Sequence, residues 1–164
     1  MPVMSAGLLV YRVVPGARAE FEVLIAHMGG PFWAGKSEGA WTIPKGEFDP
    51  DEESALDAAR REFVEELGVD PPAGDYAPLG TFAYSSGKRI VVFVVVGADF
   101  APVEFTYGTF DLEWPSGSGT RAGFPEVDQA RWVPEREARD LLVKGQRPAL
   151  EALAARLAEA ADTA

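Results

Sequence analysis

Residues 46–69 read GEFDPDEESALDAARREFVEELGV. Within them, Glu62, Glu65 and Glu66 fall at i, i+3 and i+4. At about 100° per residue, these positions share one arc of a helix surface. Like charges so spaced repel by roughly 0.2–0.5 kcal/mol per close pair. They also sit toward the helix C-terminus, where the macrodipole disfavours anions. As design for stability alone this is poor. A solvated acidic face with arginines nearby is the plainer reading of three bare glutamates. A divalent cation shared by the carboxylates would turn the repulsion into attraction, and hard oxygen donors on one face suit Mg2+ or Mn2+.

The flanking residues supply a helix to carry them. Ser54 followed by Asp57 fits a capping start, and Gly68 fits a C-terminal stop. Leu56, Ala59, Phe63 and Leu67 form one apolar stripe for a core. On the carboxylate face the upstream turns carry only Ala55 and Ala58, small enough for the preceding loop to lie close to the glutamates. The pattern predicts a helix from Ser54 to about Leu67.

The whole stretch closely resembles the Nudix box, G-x5-E-x7-R-E-U-x-E-E-x-G-U, where U is bulky and apolar. From Glu53 onward every fixed position is filled: Arg61, Glu62, Phe63, Glu65, Glu66, Gly68 and Val69. One departure exists, because six residues rather than five separate Gly46 from Glu53. Glu52 fits the glycine spacing and Glu53 the helix spacing. Helix geometry is rigid and a loop absorbs one residue, so Glu53 is taken as the box glutamate.

The resemblance implies an α/β fold, a Nudix-type α/β/α sandwich with a mixed β-sheet, over residues 1–164 as one domain. It implies a metal-dependent hydrolase that cleaves a diphosphate linkage in a nucleoside diphosphate derivative. The implied metal ligands are Glu62, Glu65, Glu66 and the carbonyl of Gly46, with Mg2+ or Mn2+ as cofactor. Arg61 is implied to orient the box carboxylates, with Glu53 supporting it from the start of the helix. Glu65, or alternatively Glu126 in a later loop, is the candidate for taking a proton from the attacking water. A non-catalytic nucleotide-sensing module on the same fold is the alternative. The implied partner is a small phosphorylated molecule: a dinucleoside polyphosphate, a nucleotide sugar such as ADP-ribose, or a modified nucleoside triphosphate. The SQPWPFPxS-like element of the NADH-hydrolysing branch is absent.

Composition is compatible with this. The chain has 164 residues, 47% hydrophobic and 25% charged, which suits one globular domain with a sizeable core. A net charge of −11 argues against stable nucleic-acid binding and against anionic membranes. Cysteine is absent and histidine occurs once, so neither thiolate nor histidine-based metal chemistry is available. The longest apolar run, Ile90–Val96, is too short to span a bilayer, and no signal-peptide pattern opens the chain, so a cytoplasmic location is expected.

Strands are predicted over Met4–Val14, Phe21–Ala26, Ala40–Ile43, Leu79–Tyr84, Arg89–Ala98 and Ala130–Val133. Helices are predicted over Glu135–Val143 and Pro148–Ala160, where they would cover the sheet and offer a homodimer surface. Residues 101–125 read as a long loop, with a short strand within Phe105–Phe110. Candidate substrate contacts are Trp33, beside Phe32, for stacking on a base, and Lys36, Lys45 and Arg89, with Lys88, for phosphate. Tyr84 lies near the offset at which some dinucleoside-polyphosphate hydrolases of the family carry a tyrosine. Phe110, Trp114 and Arg121 are further candidates for a pocket. Core packing for the aromatics and solvation for the charges are the plainer readings. For His27, a polar strand end is plainer than catalysis.

Overall fold

The computed structural model describes residues 2–102 and 104–163. The sheet is built on β1 (Met4–Val13), whose residues 5–10 are all buried. β6 (Arg89–Val96) runs parallel to it along Met4–Tyr11, and β5 (Ala77–Ala83) extends that side antiparallel. On the other side β2 (Phe21–Met28) pairs with the second half of β1, through Val10↔Leu24 to Val13↔Phe21. β9 (Val127–Pro134) then pairs along the far edge of β2.

Beyond Leu24, β1 and β2 diverge, and the chain fills the fork. β3 (Trp41–Thr42) pairs with Ala26 and His27 of β2, while β4 (Lys45–Glu47) pairs with Ser5–Gly7 of β1. Ile43 and Pro44 cross between them, and the Pro44 carbonyl accepts from Leu8 N–H at 3.1 Å. The result is a mixed seven-stranded sheet. The fork delivers Lys45 and Gly46 to the centre of one face.

Period-2 alternation sends the two sides of each strand into different cores. Leu9, Val23, Ile25, Val92 and Val133 pack with Ala138, Leu142, Leu150 and Leu153. Those last four come from α2 (Glu135–Leu141), the residue after it, and α3 (Arg147–Thr163). Leu8, Val10, Leu24, Ala26 and Val95 pack instead with Ala58, Ala59, Phe63 and Leu67 of α1 (Ala55–Leu67). This is the α/β/α sandwich that the resemblance implied.

α1 starts and stops where its residues direct. Ser54 is extended and its Oγ accepts from the Asp57 N–H at 3.1 Å. Gly68 closes the helix at φ 69°, the left-handed region, and donates to the Val64 carbonyl.

Several sequence expectations are corrected. Lys45–Glu47, for which the sequence predicts no strand, is one because Ser5–Gly7 offers it a ladder. The long loop holds a hairpin of β7 (Thr109–Glu113) and β8 (Arg121–Pro125), a two-stranded sheet of its own, so the short strand lies later than Phe105–Phe110. β9 is longer than Ala130–Val133, since β2 pairs with it from Glu22 to Met28. The helix expected over Glu135–Val143 ends at Leu141, and a 3-10 turn, Lys144–Gln146, intervenes before α3. Among the described residues, no helix is long and apolar enough to cross a membrane.

The turn at Gly68 is also where the long connection meets α1. Thr106 N–H donates to the Leu67 carbonyl at 2.9 Å, and a Cβ built on Gly68 overlaps Thr106. Gly68→Ala is therefore expected to lower stability by at least ~1 kcal/mol, from left-handed strain plus that overlap. A urea midpoint unchanged from the parent would contradict this packing.

Candidate active site

The helix places Glu62, Glu65 and Glu66 along a cleft of about 460 Å³ that Lys45, Gly46 and Glu126 also line. Gly46 lies so close to α1 that a Cβ built on it would overlap the Glu62 carboxylate. The neighbouring Lys45 N–H donates to Glu66 Oε2 at 3.3 Å. Strand and helix thus meet at the Glu62 and Glu66 carboxylates.

Arg61 binds the cluster from its edge. Its Nη2 and Nε donate to the two oxygens of Glu53 at 2.5 and 3.2 Å. Its Nη1 donates to Glu62 Oε1 at 2.7 Å and to both oxygens of Glu65 at 3.2 Å. The partner at the start of the helix is Glu53, the residue chosen on helix spacing. The hydrogen bonds from Arg61 hold the Glu53 carboxyl below the usual carboxylate range. Reciprocally, the Glu53 bond, followed by those of Glu62 and Glu65, raises the guanidinium pKa.

Burial governs the other two carboxylates. Glu66 is 5% exposed, and burial pushes its carboxyl up to about 8, against the opposing pull of the Lys45 charge and N–H. Glu62 is shifted upward by burial as well, with Arg61 opposing and Glu65 and Glu126 reinforcing. Without a cation, the pocket therefore favours a protonated Glu66 at neutral pH.

The donor set fits a hard divalent cation: carboxylate oxygens on one helix, with a glycine backbone pressed against them. Arg61 is what now neutralises Glu62 and Glu65. Among the described residues, no three Asp, Glu, His or Cys side chains are already closed around a shared cation position.

Glu126 is brought in from a distance by backbone bonds. Its N–H donates to the Gly108 carbonyl at 2.8 Å, and its carbonyl accepts from Gly29 N–H at 2.9 Å. Gly108 itself lies against α1: a Cβ there would come within 2.7 Å of the Glu65 carbonyl and 4.0 Å of Glu126 Oε2. The connection from Thr106 to Gly108 straps the loop along the last turn of α1.

Of the expected substrate contacts, Lys45 and Trp33 line the cleft, joined by Phe110 from β7. Lys36 is exposed beside them, with its Nζ 5.8 Å from the Trp33 ring. Phe32 and Trp114 do not line the cleft; they pack edge-on against each other, centroids 5.5 Å apart. Two expectations are corrected. Tyr84 is turned to the other core, where its hydroxyl accepts from Gln146 at 3.0 Å. Arg89 is exposed at the start of β6, outside the cleft lining. Its neighbour Lys88 pairs with Glu47, itself a cleft residue, at 3.7 Å.

The sequence reading missed Thr42, Met28 and Val127 as cleft residues. It also missed what His27 does. The buried ring bridges the Lys36 carbonyl at Nε2 (2.6 Å) and Asp128 at Nδ1 (2.8 Å), tying the 29–39 loop to the start of β9. A lone histidine at a strand end carries no signal of partners so far away in sequence.

A NUDIX domain model matches residues 8–153. The chain belongs to the NUDIX family. An uncharacterized 17.7 kDa protein of Enterobacteria phage T4 is 34% identical over 94 residues, which are 57% of this chain. The aligned part spans 58% of that relative's length. Among solved structures, a C. elegans Ap4A hydrolase binary complex superposes with a TM-score of 0.65 at 21% identity, covering 94% of this chain and 98% of that one. The NUDIX domain of Shewanella oneidensis NrtR, complexed with ADP ribose, gives 0.62 at 15% identity, covering 96% and 89%. At these identities the two structures speak to the fold.

The Glu66 shift has a defined sign for this family member. Its folded carboxyl holds a proton that the unfolded chain releases near 4.5, so the stabilisation is full below about 4.5 and is lost as pH rises to about 8. The slope from this one group is at most about 1.4 kcal/mol per pH unit. In chelator, the parent's unfolding free energy should fall through that window, and Glu66→Gln should make the fall shallower. Parallel profiles for the two proteins would contradict the buried assignment.

Proposed function

We propose that this Nudix domain is a Mg2+- or Mn2+-dependent hydrolase of a diphosphate linkage in a nucleoside diphosphate derivative. The observation that carries the reading is the convergence of Glu62, Glu65, Glu66, Glu126 and Gly46 on one cleft, with an aromatic wall beside it. Glu62, Glu65, Glu66 and the Gly46 carbonyl are the residues that would hold the cation. Bound there, it would offset phosphate charge and lower the pKa of a coordinated water.

The chain's own residues do the rest. Arg61 keeps Glu62 and Glu65 in place from the edge and is itself fixed by Glu53. Lys45, at the cleft, supplies a positive charge toward a bound diphosphate in a protein of net charge −11. Glu65, only lightly buried, and Glu126, also lining the cleft, are the two groups placed to accept a proton from water. Trp33 and Phe110 offer an aromatic surface for a base. The substrate classes remain dinucleoside polyphosphates, nucleotide sugars and modified nucleoside triphosphates; the similar folds bound to ADP ribose or named for Ap4A hydrolysis make the first two the first to test.

A phosphate-release screen with coupled phosphatase, in Mg2+ or Mn2+, over those three classes tests this reading. Turnover is expected in at least one class, abolished by chelator. Glu66→Gln, on the active substrate, should lose at least ~10²-fold in kcat. A folded Glu66→Gln protein with near-parental kcat would overturn the site assignment. Metal binding with no turnover of any class would favour the sensing module instead.

A further inference from the structure

Gln146 is completely buried, ends the 3-10 turn after α2, and makes contacts more than a hundred residues back along the chain. Its Oε1 accepts from the Ile43 N–H at 2.7 Å. Its Nε2 donates to Thr42 Oγ1 at 2.9 Å and to the Tyr84 hydroxyl at 3.0 Å. The amide orientation is forced, because a flipped group would face one N–H donor with another. Thr42 Oγ1, already accepting, donates its own proton to the Ile43 carbonyl at 2.8 Å. Every polar atom of Gln146 is used, in a place where an unused one would be costly.

What Gln146 grips is the weakest link in the fork. β3 is a two-residue strand, paired to β2 only at Trp41 and Thr42. Ile43 lies past its end, and Pro44 has no N–H to give. From the other side, the C-terminal segment runs along β3: Val143 N–H donates to the Trp41 carbonyl at 2.9 Å, and Leu142 bridges to Trp41. Gly145 is a glycine for this reason, since a Cβ built there would overlap the Tyr84 ring. Immediately after Pro44 come Lys45 and Gly46, the residues that touch Glu66 and Glu62.

We propose that Gln146 is a positioning residue for the hydrolytic site: it fixes the Thr42–Gly46 segment so that Lys45 N–H and the Gly46 backbone stay against Glu66 and Glu62. Its effect on turnover rests on the hydrolase reading above; its effect on the segment does not. Gln146 does not line the cleft. It acts through Thr42 and Ile43, and Thr42 is itself a cleft residue.

The test compares Gln146→Met with Leu153→Ala, a truncation in the same core that makes no bond to the segment, and with Tyr84→Phe. Amide exchange of residues 42–47 is followed against that of α1, and kcat and KM are measured well below each melting temperature. In Gln146→Met, the Ile43 and Lys45 amides should exchange at least ~10-fold faster relative to α1. Its kcat should fall at least ~10-fold with KM within ~3-fold, as for a misplaced site. Leu153→Ala should speed exchange without singling out residues 42–47 and keep the parental kcat, and Tyr84→Phe should stay within ~3-fold of the parent because the Ile43 bond survives. Uniform exchange in Gln146→Met, or selective exchange with parental kcat, overturns the proposal. If the parent turns over none of the three substrate classes, the hydrolase reading fails, and the exchange contrast alone still decides whether Gln146 holds the segment.

Discussion

The site depends on one shared guanidinium. Arg61 reaches backward along α1 to Glu53, sideways to Glu62 and forward to Glu65, and so holds three carboxylates that would otherwise repel. Its bidentate grip on Glu53 fixes the plane from which Nη1 serves the other two. Glu66 stands apart, beyond Arg61's bonds, and burial is what pushes its carboxyl up, against the pull of Lys45. A cation in the cleft would meet one group by displacing a proton and the others by competing with Arg61. One guanidinium is shared among three carboxylates that are not yet closed around a common point, so a cation would supply charge that Arg61 alone does not.

The remaining walls are made by chain segments that come to α1 rather than by α1 itself. The fork between β1 and β2 brings Lys45 and Gly46. The strap Thr106–Gly108 brings Glu126, using the glycines at 68 and 108 for close approach. The β7–β8 hairpin brings Phe110 to the side where Gly30 leaves space for its ring, 3.1 Å from where a Cβ would stand. The β1–β4 ladder and the bonds of Thr106 and Glu126 set the first two by backbone contacts.

The parts of this arrangement that are local along the chain are legible in the amino-acid sequence alone. Helix periodicity puts Glu62, Glu65 and Glu66 on one face and Phe63 and Leu67 on the other, and rigid spacing selects Glu53 over Glu52 as the partner of Arg61. The sandwich itself follows from the resemblance that those residues carry. What is not legible is what depends on partners far along the chain. Tyr84 is a candidate substrate contact only through a family offset; the plainer reading, core packing, is where it lies, and nothing nearby in sequence announces Gln146 as its partner. His27 carries no sign of Asp128, and the polar, glycine-rich 101–125 stretch hides a hairpin whose alternation is interrupted by its own turn. Arg89 illustrates the remaining failure: a basic residue next to a hairpin says nothing of which way the hairpin faces.

If Glu66, whose carboxyl burial pushes up to about 8, is a ligand of the proposed cation site, cation binding must displace its proton. Calorimetric titration of the chelated protein with Mg2+ or Mn2+ at pH 7, repeated in buffers of different ionisation enthalpy, measures both binding and proton release. The account predicts saturable binding that releases about one proton per cation, since ligands must be deprotonated to bind, and no such release in Glu66→Gln. Binding without proton release, or equal release from Glu66→Gln, would contradict it.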